Sequence, residues 1–90
     1  MENIQKEKTR FFIEEDGHLV GEVRWRVLPS GDFDVNGTFV NPDRRGEGIA
    51  ERLVLEVLKK AEAENVKILP SCSYVANYLD DHEEYRDLLI

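Results

Sequence analysis

Ninety residues, 41% hydrophobic and 34% charged, make one globular domain over 1–90 with a single thin core. A formal charge of −7 excludes nucleic acid as a partner, since phosphate contacts need clustered Lys and Arg; the acidity serves solubility or attracts a cationic partner such as an amine. No apolar run nears the roughly 20 residues of a membrane helix, Met1 to Lys8 lacks an export signal, and one cysteine forms no internal disulfide, so a cytoplasmic chain off the membrane is expected.

Thr9 to Glu15 carries Phe11, Phe12 and Ile13, a strand-forming run. Asp16-Gly17 follows, a dipeptide suited to a tight hairpin turn with positive φ. From His18 to Leu28 the chain alternates, with Leu19, Gly21, Val23, Trp25 and Val27 on one face and Glu22, Arg24 and Arg26 on the other. That period of two marks a strand with one wet face. Pro29-Ser30-Gly31 signals a second turn. Asp32 to Asn41 forms a third strand, with Phe33, Val35, Gly37 and Phe39 in phase and a bulge or twist near Gly37.

At Asn41-Pro42-Asp43 the period changes from 2 to 3.6, and Ile49, Leu53, Val54, Val57, Leu58 and Ala61 fall on one helical stripe. This spacing predicts a helix from about Gly48 to Glu64. Glu51 and the pair Lys59 and Lys60 carry the signs that the macrodipole favours, and Asn65 is a left-handed C-terminal residue. Val66 to Leu69 reads as a short strand stopped by Pro70, which completes a parallel βαβ unit. Ser71 is the expected cap of a second helix through Leu79, with Val75, Tyr78 and Leu79 turned inward. The tail ends in Leu88-Leu89-Ile90, expected to dock on the sheet. The fold class is therefore α/β with a mixed sheet: a three-stranded antiparallel meander, a βαβ unit and a C-terminal helix.

The segment between the third strand and the long helix is the most informative. Gly46 and Gly48 let backbone amides close on a ligand oxygen, and they precede a helix start whose N–H groups lack internal partners. Together with the positive dipole end, this is an anion site, and Arg44 and Arg45 add two charges beside it. A dinucleotide fingerprint would need glycine where Glu51 stands, and a Walker A loop would need Gly-Lys-Ser/Thr. Neither is present. His18, His82 and Cys72 match no metal-ligand spacing, so no metal is expected.

The run Arg45-Gly46-Glu47-Gly48-Ile49-Ala50 resembles the signature of the GCN5-related N-acetyltransferase (GNAT) superfamily: Gln or Arg, two residues, Gly, one residue, then Gly or Ala. The flanks from Val40 onward resemble the family's strand-to-helix junction, and the likeness runs from about Phe11 to Tyr85. Length and the run Pro70-Ser71-Cys72-Ser73-Tyr74-Val75 look like a minimal, YjdJ-like branch of the superfamily. The resemblance implies a minimal GNAT-like fold, acetyl-coenzyme A as cosubstrate, and a coenzyme site at Val40, Arg44, Arg45, Gly46, Glu47, Gly48, Ile49 and Ala50. It implies acetyl transfer to a small amine, a protein amine or the chain's own cysteine. The alternative is a non-catalytic module for coenzyme A or protein interaction.

The chain is too short for the helices and C-terminal hairpin that usually build the family's acceptor pocket. Where close relatives often carry His-Thr-Glu-Val, this chain has Gly37-Thr38-Phe39-Val40, so a base at either altered position is lacking. Water, Glu22, Asp34 or another carboxylate remains for deprotonating an amine. By the resemblance Cys72 lies toward the thioester. A thiol at a helix start has a lowered pKa, which makes Cys72 either a nucleophile carrying an acetyl group or a packing thiol. Tyr74 is the candidate acid for the departing thiolate, with Tyr78 a turn later; either can equally be a core aromatic.

Overall fold

The computed structural model describes residues 3–90, so the first two residues of the N-terminal stretch read above lie outside it. Five strands form one sheet in sequence order: β1 (Gln5–Lys6), β2 (Arg10–Glu15), β3 (His18–Val27), β4 (Phe33–Val40) and β5 (Ile68–Pro70). The first three pairings are antiparallel and β4 with β5 is parallel. Helix α1 (Ile49–Glu64) connects that parallel pair, and α2 (Ser73–Asp80) follows β5. The meander thus gains a two-residue edge strand that alternation could not reveal.

Asp16 and Gly17 turn β2 into β3 with φ of 53° and 77°, the left-handed pair that matches strand twist in a two-residue hairpin. The α1 stripe is buried at all six expected positions, and Asn65 ends the helix at φ 57° with its N–H on the Ala61 and Glu62 carbonyls. These side chains meet Phe11, Ile13, Val23, Trp25, Phe33 and Val35 from the sheet in one core. Val75 and Leu79 of α2 join the same core, so both helices cover one face of the sheet. The tail docks as expected: Leu89 bridges Ile68, and the Ile90 N–H donates to the Ile68 carbonyl at 3.1 Å.

The expected alternation along β4 is broken by a bulge. Arg24 pairs with Gly37 but Trp25 pairs with Val35, so Asn36 is an extra residue on the β4 side. Past that bulge the phase flips. Thr38 and Val40 lie opposite Val23 and Gly21 on the helix-covered face, while Gly37 and Phe39 lie opposite Arg24 and Glu22 on the other. Phe39 is accordingly 42% exposed rather than in phase with Phe33 and Val35. Val27, at the end of its strand, is also exposed. Ser71 does not cap α2. Its N–H closes a tight turn on the Leu69 carbonyl, which delays the helix, and Cys72 becomes the N-cap.

Gly21 sets how closely α1 lies on the sheet. A Cβ there would stand 2.8 Å from Ile49 Cγ2 and 3.0 Å from the Phe39 carbonyl oxygen. The side chain could turn away but the backbone oxygen could not. Gly21→Ala should therefore destabilise the fold by about 1–3 kcal/mol through overpacking, read as a lower urea midpoint at unchanged m-value. An unchanged midpoint would show that α1 shifts freely on β3.

Candidate functional site

The end of β4 is pinned before it enters the loop. Asn41 donates its N–H to the Val20 carbonyl at 2.8 Å, and its side-chain oxygen accepts the Asp43 N–H at 3.0 Å, which starts a 3₁₀ turn at Pro42–Arg44. The chain then passes Gly46 at φ 85° and Gly48 at φ 75°, and Gly48 is the N-cap of α1. Both angles lie in the left-handed region, where a side chain is strained. A Cβ at either position would meet nothing within 4 Å, so the need for glycine is conformational rather than steric within the chain. The loop thereby presents the first amides of α1, which have no intrahelical acceptor.

The two arginines differ in kind. Arg44 is held by Glu47 at 2.9 Å and Glu15 at 3.3 Å, so it braces the loop. Arg45 is exposed and forms no hydrogen bond or ion pair among the described residues. A cleft of about 430 Å³ opens here between β4, the loop, the first turn of α1 and α2. Val40, Arg44, Arg45, Gly46, Gly48, Ile49 and Ala50 line it, as sequence reasoning expected, together with Tyr74. Glu47 does not line it, being turned to Arg44. The cradle fits an anionic ligand: open space at both glycines, free amides and a guanidinium with no internal partner.

Three further lining residues are Thr38, Phe39 and Glu51. Phe39 occupies one of the two positions where the resemblance left a base lacking, and the phase flip at Asn36 hid Thr38. Glu51 was visible only as a first-turn acid that suits the helix dipole. In the fold its carboxylate faces the tyrosines of α2. Burial and then Glu51 push the Tyr78 phenol up to about 12, and the same two causes raise Tyr74. Tyr78 stacks on His82 with ring centres 4.0 Å apart, and the His82 ring nitrogen Nδ1 lies 2.7 Å from the Tyr78 carbonyl. Tyr78 is thus built into the packing of α2, whereas Tyr74 is 38% exposed at the cleft.

Cys72 lies beside the cleft rather than among its lining residues, with its sulfur 3.4 Å from the Thr38 hydroxyl. Partial burial pushes the thiol up. The Thr38 hydroxyl and the nearby N–H groups of Val75, Tyr74 and Thr38 outweigh that and bring it below its ordinary value. Those amides make no regular capping bond to the sulfur, so their effect is on the thiolate once formed. The two carboxylates named earlier as bases are elsewhere. Glu22 pairs with Arg10 at 2.7 Å and Arg24 at 3.4 Å, and Asp34 is buried against Arg26 at 3.4 Å. Neither lines the cleft.

A family model for GCN5-related N-acetyl-transferases matches residues 10–88. Among solved structures, a candidate GCN5-like N-acetyltransferase from Staphylococcus aureus is 24% identical with a TM-score of 0.82, and the match covers 98% of this chain and 87% of that one. A ribosomal-protein-alanine N-acetyltransferase from Brucella melitensis biovar Abortus 2308 is 26% identical with a TM-score of 0.57, covering 93% of this chain and 64% of that one. An aminoglycoside N-acetyltransferase in complex with CoA is 19% identical with a TM-score of 0.59, covering 90% and 66%. The chain therefore spans most of the staphylococcal structure and about two thirds of the other two.

Proposed function

The chain belongs to the GCN5-related N-acetyltransferases, enzymes whose acetyl donor is acetyl-coenzyme A, and from that premise we propose that its cleft holds the coenzyme with the pyrophosphate on the 45–50 loop. The observation that carries this reading is the pair of left-handed glycines opening α1 beside an unpartnered Arg45. Free amides, a helix dipole and one available guanidinium are what a pyrophosphate requires. The coenzyme supplies an activated thioester when bound. The rest of the chemistry falls to this chain's side chains.

The acceptor is an amine, and the acetyl group reaches it either directly or by way of Cys72. The Thr38 hydroxyl and the α2 amides favour a thiolate at Cys72, which supports the second route. Tyr74, which burial and then Glu51 keep protonated, is our candidate to give a proton to a departing thiolate.

Calorimetric titration with coenzyme A tests the cradle. Arg45→Glu replaces the free cation with an anion and should lower affinity by about 10- to 100-fold, the scale of a lost charge-assisted contact plus repulsion. Wild-type affinity should fall as salt rises, because Arg45 is exposed and screened. Affinity that ignores both salt and Arg45→Glu would remove the charge from the argument for the cradle.

A further inference from the structure

We propose that Glu51 is the proton acceptor for the incoming amine, an inference that rests on the acetyl-transfer reading above. Transfer to an amine needs a base, because the acceptor arrives as an ammonium ion whose nitrogen has no free electron pair. Glu22 and Asp34 do not line the cleft and are paired with arginines, and Glu15 and Glu47 are bound to Arg44. Glu51 is the one carboxylate among the described residues that lines the cleft. It stands in the first turn of α1, where the helix dipole favours a negative side chain. Burial and then the Glu51 charge raise the Tyr78 phenol, and Tyr78 is itself fixed by stacking on His82. The base therefore faces α2, the helix that also carries Tyr74 and is capped by Cys72.

The placement separates two roles. Glu51 takes a proton from the acceptor ammonium, and the freed nitrogen pair attacks the acetyl carbonyl carbon. A C–N bond forms as the C–S bond breaks, and Tyr74 gives its phenolic proton to the departing sulfur. The second proton on nitrogen returns to the Tyr74 phenolate, and Glu51 releases its own to solvent. The balance is an ammonium and a thioester converted to an amide, a thiol and one proton. It is the same whether the sulfur belongs to the coenzyme or to Cys72. The acceptor this site takes is a primary amine that is cationic in solution, drawn toward a chain of net charge −7.

The test compares wild type, Glu51→Gln and Glu51→Asp with acetyl-coenzyme A and a panel of primary amines. Glu51 is exposed, so both variants should fold with a urea midpoint near that of wild type, and turnover is compared at saturating acetyl-coenzyme A. Glu51→Gln should lower kcat by about 100- to 10,000-fold, the range for a general base, and Glu51→Asp should recover part of it. A second readout needs no turnover. The groups facing Glu51 from α2 are Tyr74 and Tyr78, with Tyr85 and His82 behind them. Removing the carboxylate charge should let Tyr74 and Tyr78 ionise at lower pH in an ultraviolet titration. Wild-type turnover that Glu51→Gln leaves within about threefold overturns the assignment, and so does an unchanged tyrosine titration. Absence of turnover in wild type with every amine overturns the acetyl-transfer reading and the base with it, and leaves a coenzyme-binding module.

Discussion

Gly48→Val should weaken coenzyme A binding by about 10- to 100-fold while leaving the fold intact. Gly48 sits at φ 75°, and a β-branched residue held there costs about 1–3 kcal/mol. A Cβ at this position meets nothing within 4 Å, so the free chain has no clash to relieve. In the variant the loop can relax by turning the backbone at this position to negative φ, which swings the first amides of α1 away from the cleft. Binding must then restore the strained conformation, and each step of about 1.4 kcal/mol in that cost is tenfold in affinity. Gly48→Asn separates the two meanings of the glycine. Asparagine tolerates the left-handed region, so it should bind within about threefold of wild type if conformation is what matters. If the Asn and Val variants lose affinity equally, the glycine is needed for close approach of the ligand instead. Equal affinity of Gly48→Val and wild type, measured by calorimetry, would sink the cradle.

The same glycine shows how far the sequence could be read. Gly46, Gly48 and a helical stripe of six apolar residues form a local pattern, and local patterns survive folding: the stripe is buried at every expected position. Asn65 and Asp16-Gly17 were legible for the same reason, since a left-handed residue is a property of two or three neighbours. What could not be read depended on registration between distant segments. Alternation along β4 carries no mark of which residue is surplus, so the bulge at Asn36 was placed only to within a residue and Phe39 was put on the wrong face. Ser71 has the composition of a cap, but the turn that β5 makes into α2 consumes it. Glu51 is the sharpest case. Its place in the cleft beside the tyrosines of α2 depends on how the two helices meet, and no periodicity in either helix encodes that.

Incubation with acetyl-coenzyme A should leave an acetyl group on Cys72, removable by hydroxylamine as a thioester is and missing from Cys72→Ser. The cause is electrostatic. Burial alone would raise the thiol and silence it, yet the Thr38 hydroxyl and the α2 amides reverse that and bring its pKa below the ordinary thiol value. The thiolate is the nucleophile, so acetylation should rise with pH as the proton leaves. With a lowered pKa that rise comes at lower pH than for a free cysteine, and above it the rate should level off. Thr38→Val removes the hydroxyl at 3.4 Å from the sulfur and should move the whole profile to higher pH, whereas Thr38→Ser should hold it in place. Mass spectrometry of the intact protein at a series of pH values reads both effects. A profile that Thr38→Val leaves unmoved would mean that the hydroxyl is only a packing contact. Full amine turnover by Cys72→Ala would remove the cysteine from the route, and the amine freed by Glu51 would then attack the coenzyme thioester directly.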